Sequence, residues 1–220
     1  MTSVLEARRV DAPVTAYDPR RWKALPLPLA ALFMMLFDFF AVGVAAPSAQ
    51  RALTGGVAGL ELIVSAFAFT YAAGLVAGGV LGDRYGLRRM LMIGGAGFVA
   101  ATALCGLAPT LPVLLCARLV AGAAAALLVP QAFALVTTGF PPGERPRAFA
   151  LLGATLGLAG MAGQALGGVI ITADLWGLGW RAVFFVNAPI GLLLVAAAPR
   201  LLPAGRPVRR GGLDGVGLAL

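Results

Sequence analysis

Long apolar stretches alternate with short polar segments along this chain. Six apolar stretches lie at 25–47, 57–81, 90–108, 112–139, 148–172 and 182–202. A helix rises about 1.5 Å per residue, so a stretch of about 20 residues can cross about 30 Å of hydrocarbon. Because Gly and Ala run through the stretches and no period-two alternation occurs, we predict membrane-spanning helices and not barrel strands. A seventh apolar segment begins at Leu213 and runs to Leu220.

The composition supports a membrane protein. Apolar residues make up 60% of the chain, charged residues make up 12%, and the mean hydropathy is +0.92. These values lie far outside the range of soluble domains. We therefore divide the chain into a cytoplasmic N-terminal tail (1–24), a six-helix transmembrane bundle (25–202), and a cytoplasmic linker with the start of helix 7 (203–220).

The basic residues are distributed asymmetrically between the two sides of the predicted bundle. Of the 17 Lys and Arg residues, five lie in the tail, three between spans 2 and 3, two between spans 4 and 5, and four at the end of span 6 or after it. On the opposite side only Arg51 and Arg181 are found, and Arg118 lies within a span. By the positive-inside rule this predicts a multi-pass protein of the cell membrane with a cytoplasmic N-terminus. The position of these basic residues on one side of the membrane also explains the net charge of +8, so we do not expect nucleic-acid binding.

The residues needed for most enzyme chemistry are missing. The sequence contains no His, which excludes imidazole chemistry, and its two cysteines, Cys105 and Cys116, have no metal or redox spacing. Neither a nucleophile elbow nor a phosphate-binding loop occurs. We therefore expect no enzyme activity, no metal site and no cofactor.

Ionisable residues inside the spans are the first candidates for a functional site. Asp38 lies in the middle of span 1, where a charge is costly unless it faces water or a partner. A carboxyl group shielded from water can bind and release a proton, whereas the alternative is a role in packing alone. Arg118, near the start of span 4, is the natural counter-charge, although sequence alone leaves open whether it reaches Asp38. Glu61, at the outer end of span 2, is a possible second site or merely solvated.

Glycines mark two further segments. The glycines of span 5 have three- and four-residue spacings that favour close helix contact, at Gly153, Gly157, Gly160, Gly163, Gly167 and Gly168. Between spans 2 and 3, glycines and charges alternate in a short segment containing Gly79, Gly82, Asp83, Arg84, Gly86, Arg88 and Arg89. Its glycines allow close packing and a tight turn, and Asp83 could pair with the arginines and stabilise one conformation. The alternative is ordinary positive-inside charge.

This segment resembles the loop signature of the major facilitator superfamily, G-x-L-x-D-R-x-G-x-R-R. Further segments resemble its fourteen-helix branch of drug:proton antiporters. The matching positions are Asp38, Val42, Val44, Ala45, Pro47, Ser48, Gln50 and Arg51 in span 1, Arg118 and Gly122 in span 4, Gly163, Gly167 and Gly168 in span 5, and Trp180, Arg181, Phe184, Asn187, Pro189 and Gly191 at span 6. The chain departs from the branch at Phe40, Gly43, Leu87, Ala121 and Gln164. Ala121 replaces a polar neighbour of Arg118, and Gln164 replaces a helix-bending Pro.

The resemblance implies an all-α membrane protein, the six-helix N-terminal bundle of a major facilitator fold with its 3+3 inverted repeat. It implies a secondary active transporter that exports hydrophobic or cationic small molecules, such as drugs or antibiotics, with the proton gradient as driving force. In that family Asp38 and Arg118 would couple protons or substrate, and the Gly79–Arg89 segment would form a cytoplasmic gate. Gly163, Gly167 and Gly168 would form the packing motif of helix 5.

The length of the chain adds a condition to this function. Alternating access requires two halves that move against each other around the substrate site. We therefore expect an incomplete chain whose partner is the C-terminal half of the same protein, or else a half-transporter that pairs with a second copy. Two other functions stay open: a uniporter or importer of a polar metabolite, and a non-transporting membrane scaffold or sensor.

Overall fold

Six long helices form the protein in a computed structural model, which describes residues 17, 19–54, 56–174 and 177–202. They are α1 (Pro26–Ala52), α2 (Gly56–Tyr85), α3 (Leu87–Leu107), α4 (Leu111–Gly139), α5 (Arg145–Ala173) and α6 (Asn187–Leu201). A one-turn helix, Arg21–Ala24, precedes α1, and a 3-10 turn (Gly179–Arg181) and a one-turn helix (Ala182–Phe185) precede α6. Within these described ranges no strand occurs. The predicted linker and seventh helix at 203–220 lie outside them.

All six predicted spans are confirmed as helices long and apolar enough to cross a membrane. Their ends differ from the predicted ones, most clearly where α2 continues to Tyr85 and α3 begins at Leu87. Hydropathy detects only the apolar part of a helix, whereas charged residues such as Asp83 and Arg84 extend α2 beyond the apolar run. The predicted loop between these two helices is therefore reduced to Gly86.

Small residues bring the helices into close contact. The bundle packs α1 along α5, α2 along α4, and α3 against both α4 and α6. Gly74, Gly78 and Gly82 recur at every fourth position of α2 and face α4, so that a Cβ at Gly78 would collide with the backbone of Ala126. Small residues at this spacing allow two helix backbones to approach, as is common within membranes.

The buried core forms two apolar clusters, one above the other along the bundle. One contains Leu25, Phe140 and Leu202 and lies toward the end at which α1 begins. The other contains Ala49 and Ala108 and lies toward the opposite end. Asp38 lies where they meet, since Met35 belongs to the first cluster and Phe37 to the second.

A polar cluster ties the N-terminal turn to the α4–α5 connection. Arg21 donates from Nε to Glu144 Oε2 at 2.9 Å and from Nη2 to Glu144 Oε1 at 2.7 Å. Trp22 Nε1 also donates to Glu144 Oε2, at 2.8 Å, and its ring packs edge-on against Phe140. The guanidinium of Arg147 lies over the Trp22 ring. This bidentate pairing fixes the start of α1 relative to the start of α5.

Candidate functional site

Asp38 and Arg118 form a buried ion pair in the middle of the bundle. Arg118 Nη1 on α4 donates to Asp38 Oδ2 on α1 at 2.5 Å, and both side chains are shielded from solvent. The open question of whether the two residues meet is thus answered by the structure. A buried charge is tolerated when it is paired and hydrogen-bonded, and this pair joins residues 80 positions apart.

A further part of the Arg118 guanidinium is held by α2, whereas its Nη2 has no hydrogen-bond partner among the described residues. Its Nε donates to the carbonyl oxygen of Ile63 at 3.1 Å, and the guanidinium carbon lies 4.5 Å from the centre of the Phe67 ring. One helical turn further along α4, Gly122 leaves no room for a Cβ beside the Phe67 carbonyl. Gly122 thereby allows α2 to approach closely enough for these contacts. A planar, permanently charged guanidinium suits such a site because it has several donors in fixed directions.

A third polar side chain reaches the pair from α6. Asn187 is fully buried, and its Nδ2 lies 3.5 Å from Asp38 Oδ1, at the outer limit of a hydrogen bond. Arg118 and Asn187 therefore contact different oxygens of the same carboxylate.

The Gly79–Arg89 segment has the close packing and the turn that its glycines predict. A Cβ at Gly82 would collide with the side-chain amide of Gln131 on α4, and Gly86 has a φ of 94°, a conformation that favours glycine. A Cβ at Gly79 would make only an ordinary contact of 3.9 Å with Pro130. The segment is thus tied to α4 mainly through Gly82.

The expected pairing of Asp83 with the neighbouring arginines is not formed. In the part of the chain that the structure describes, the ion pairs are Arg21–Glu144 and Arg118–Asp38, and Asp83 is exposed. Arg88 instead donates to the carbonyl oxygen of Leu202, Arg84 lies over the Tyr85 ring, and Arg89 is exposed. Arg84 directly follows Asp83 on α2, and adjacent residues of a helix do not face each other, whereas Arg88 and Arg89 lie on α3 beyond the turn at Gly86.

The helix 5 motif is divided between two faces. Gly163 and Gly167 face α1, with a Cβ at Gly163 lying 2.7 Å from the Phe37 carbonyl oxygen. At Gly168 a Cβ would meet nothing within 4 Å, so this residue is not a packing glycine among the described residues. Glu61 is exposed near the start of α2 and belongs to none of the described ion pairs.

Sequence reasoning did not single out Asn187, Gln131 or Glu144 as site residues. For the first two a signal was present, because each is a neutral polar residue in or at the edge of an apolar run. Gln131 is buried and donates to the carbonyl oxygens of Gly78 and Leu127. Glu144 lies in a polar connection, where no such contrast exists.

The sequence profile of the Major Facilitator Superfamily matches residues 29–217. The chain belongs to this family. Its helical arrangement is similar to that of a bacterial homologue of the human lysosomal transporter Spinster, in an inward-facing, unoccupied conformation, with a TM-score of 0.75 and 22% identity. That similarity covers 90% of this chain and 47% of the other, and it shows the fold. The superfamily match and the six membrane-length helices make this a multi-pass membrane protein.

Two curated superfamily relatives are similar over nearly the whole chain. One, 40% identical over 201 residues, is a probable actinorhodin transporter of Streptomyces coelicolor; the match covers 91% of this chain and 35% of that protein. The other, 38% identical over 194 residues, is the puromycin resistance protein pur8 of Streptomyces alboniger; the match covers 88% of this chain and 38% of that protein. The chain thus spans less than half the length of these relatives.

Proposed function

We propose that this chain forms the N-terminal half of a proton-driven exporter of hydrophobic or cationic small molecules. The observation that carries the proposal is the buried Asp38–Arg118 pair. An intramembrane ion pair is expensive to build and gives little net stability over apolar residues of similar size. Binding and release of a proton or a cation at Asp38 would explain why the protein contains this ion pair.

In this proposal Asp38 exchanges its partner during transport. With Arg118 in contact, the carboxylate is stabilised in its charged form; a proton or a cationic substrate competes with Arg118 for the same oxygens. Because Arg118 is also held by Ile63 and lies over Phe67, it has other contacts when Asp38 is neutralised. Proton entry from outside and release inside would then drive substrate in the opposite direction.

The names of the relatives support the substrate class. Actinorhodin transport and puromycin resistance both concern small organic molecules, and the two matches cover 91% and 88% of this chain. The matches cover only 35% and 38% of these two relatives, which supports a second half of the same protein as partner. The excess of basic residues at the α2–α3 and α4–α5 connections supports placing this end in the cytoplasm.

The test measures efflux of cationic and neutral hydrophobic dyes by the complete two-half transporter in energised everted vesicles. We expect accumulation of dye that is lost when the pH gradient is collapsed, and we expect Asp38→Asn to abolish it at equal protein level. Asp174→Asn is the matched control, since this exposed carboxyl lies in the α5–α6 connection and Asn retains an acceptor for the Gly179 amide.

Unchanged gradient-driven efflux in Asp38→Asn would overturn the role of Asp38. Transport that does not depend on the pH gradient would favour the uniporter. Transport of none of the dyes would contradict the substrate class. Orientation is tested separately by fusing a reporter that is active only in the cytoplasm to the N-terminus.

A further inference from the structure

Asn187 is buried in a place where stability alone does not explain it. The residue is fully shielded from solvent at the start of α6, close to the apolar residues Val183 and Phe184. Its Oδ1 has no hydrogen-bond partner among the described residues. A buried amide with an unsatisfied acceptor costs free energy that an apolar residue of similar size would not.

The other buried amide, Gln131, also has a side-chain oxygen without a hydrogen-bond partner among the described residues, but its donor side differs. Gln131 has two short hydrogen bonds from its Nε2, to Gly78 and Leu127, which join two helices. In the described part of the chain the Asn187 side chain has one hydrogen-bonding contact, to the Oδ1 of Asp38. The part of Asn187 that a leucine could not replace is therefore its contact with this carboxylate.

We propose that Asn187 is a positioning residue for Asp38: its amide N–H holds Oδ1, so that Oδ2 faces Arg118 and the charged form of Asp38 is stabilised from α6 as well as from α4. An amide offers a donor and an acceptor, and only the donor side can favourably face a carboxylate. Hydrogen bonds to charged groups are stronger than those between neutral ones. Asp38 thereby connects α1 with both α4 and α6.

The electrostatic surroundings of Asp38 are simple. Arg118 approaches from α4, and the thiol of Cys105 on α3 lies within electrostatic range of both residues. The α2 groups at this level, Ile63 and Phe67, are uncharged. Removing the Asn187 amide therefore changes one of few polar contacts of Asp38, which makes its effect measurable.

This inference rests on the proposed function, since it gives Asn187 a role through the protonation of Asp38, but its test needs no transport. The complete two-half transporter is labelled with 13C at the aspartate carboxyl groups and reconstituted in lipid bilayers. The infrared band of the protonated Asp38 carboxyl is isolated by subtracting the spectrum of Asp38→Asn, and its pH midpoint is recorded.

We expect Asn187→Leu to move the midpoint to higher pH by about one unit or more, because a hydrogen bond to the charged form is lost. Gln131→Leu, the matched amide-to-leucine control at a site with no contact to Asp38, should leave the midpoint in place. Asn187→Ala also removes the donor and adds no ionisable group. It should shift the Asp38 band in the same direction and keeps the test valid if Asn187→Leu does not fold.

An Asp38 band that moves in neither Asn187 variant, or moves as far in Gln131→Leu, overturns the proposal. Its failure differs from failure of the proposed function. Unchanged efflux in Asp38→Asn removes the transport role of Asp38, whereas an unchanged infrared midpoint removes only the role of Asn187.

Discussion

The side-chain amide of Gln131 on α4 occupies the space into which a Cβ at Gly82 on α2 would project. Two hydrogen bonds hold this amide, at 2.8 Å to the Gly78 carbonyl oxygen and at 2.9 Å to that of Leu127. It therefore cannot move aside without losing them. The glycine of the α2–α3 segment and the glutamine of α4 form a single packed unit.

Gly82→Ala should consequently destabilise the bundle by about 1–3 kcal/mol, as expected for overpacking. Gly82→Ala/Gln131→Ala should lose less than the sum of the two single changes, because the colliding amide is gone. Thermal unfolding in bilayer discs measures both. Gly79→Ala is the control, since its nearest new contact is an ordinary 3.9 Å. Additive effects of the two changes would contradict the packed unit.

The Arg21–Glu144 pair predicts a dependence on pH. The hydrogen bonds from Arg21 are the main cause that lowers the pKa of Glu144 from its ordinary value of 4.5, and Trp22 adds a further bond. Because the folded pKa is the lower one, the pair stabilises the protein above pH 4.5, and this stabilisation is lost as the pH falls through the folded value.

Glu144→Gln should therefore speed hydrogen exchange of the backbone amides of Arg21–Ala24 near neutral pH. The ratio of variant to wild-type rates should approach one in acid, where wild-type Glu144 is protonated as well. Glu61→Gln is the control, because Glu61 is exposed and outside the described ion pairs. A rate ratio that stays constant with pH would argue against a contribution from the charge of Glu144.

Two glycines of α5 should respond oppositely to the same substitution. Gly163→Ala places a Cβ 2.7 Å from the Phe37 carbonyl oxygen, and we expect separation of α1 from α5 and a loss of about 1–3 kcal/mol. Gly168→Ala meets nothing within 4 Å and should keep or slightly raise stability, since Ala is the better helix former. The free energy of unfolding of both variants is measured in bilayer discs. Equal losses of stability would contradict the placement of Gly163 and Gly168 on different faces of α5.

Removal of one partner of the central ion pair should cost more than removal of both. Arg118→Leu leaves the Asp38 carboxylate buried without its counter-charge, a change that typically costs about 3–5 kcal/mol. Asp38→Asn/Arg118→Leu removes both charges, so most of the stability should return. Free energies of unfolding for the wild type, both single variants and the double variant test this coupling. A double variant no more stable than Arg118→Leu would show that the pair is not coupled.

The six spans were predictable because hydropathy is summed over about 20 residues, which averages out local detail. The ends of the helices were less predictable, because Asp83 and Arg84 remain helical although they are charged. Asp38 and Arg118 were each conspicuous as charges in apolar runs, but their contact depends on how α1 and α4 are rotated about their own axes. Sequence spacing does not specify that rotation between helices.

The same limit explains the glycines of α5. Adjacent residues of a helix point about 100° apart, so Gly167 and Gly168 cannot both face α1. Only the structure shows that Gly167 does. The sequence shows that Asn187 is a polar residue at the edge of an apolar run. It does not show that its partner is Asp38, which lies 149 positions earlier in the chain.

Gly86 is the single residue between α2 and α3, and its connection is hydrogen-bonded on both sides. Its amide donates to the Gly82 carbonyl oxygen at 2.8 Å, and its own carbonyl accepts from Met90 at 3.1 Å. One residue of chain reaches only about 3.5 Å, so the two helices have almost no freedom to slide along each other. At this end α2 and α3 cannot separate, so any opening here must carry both helix ends together.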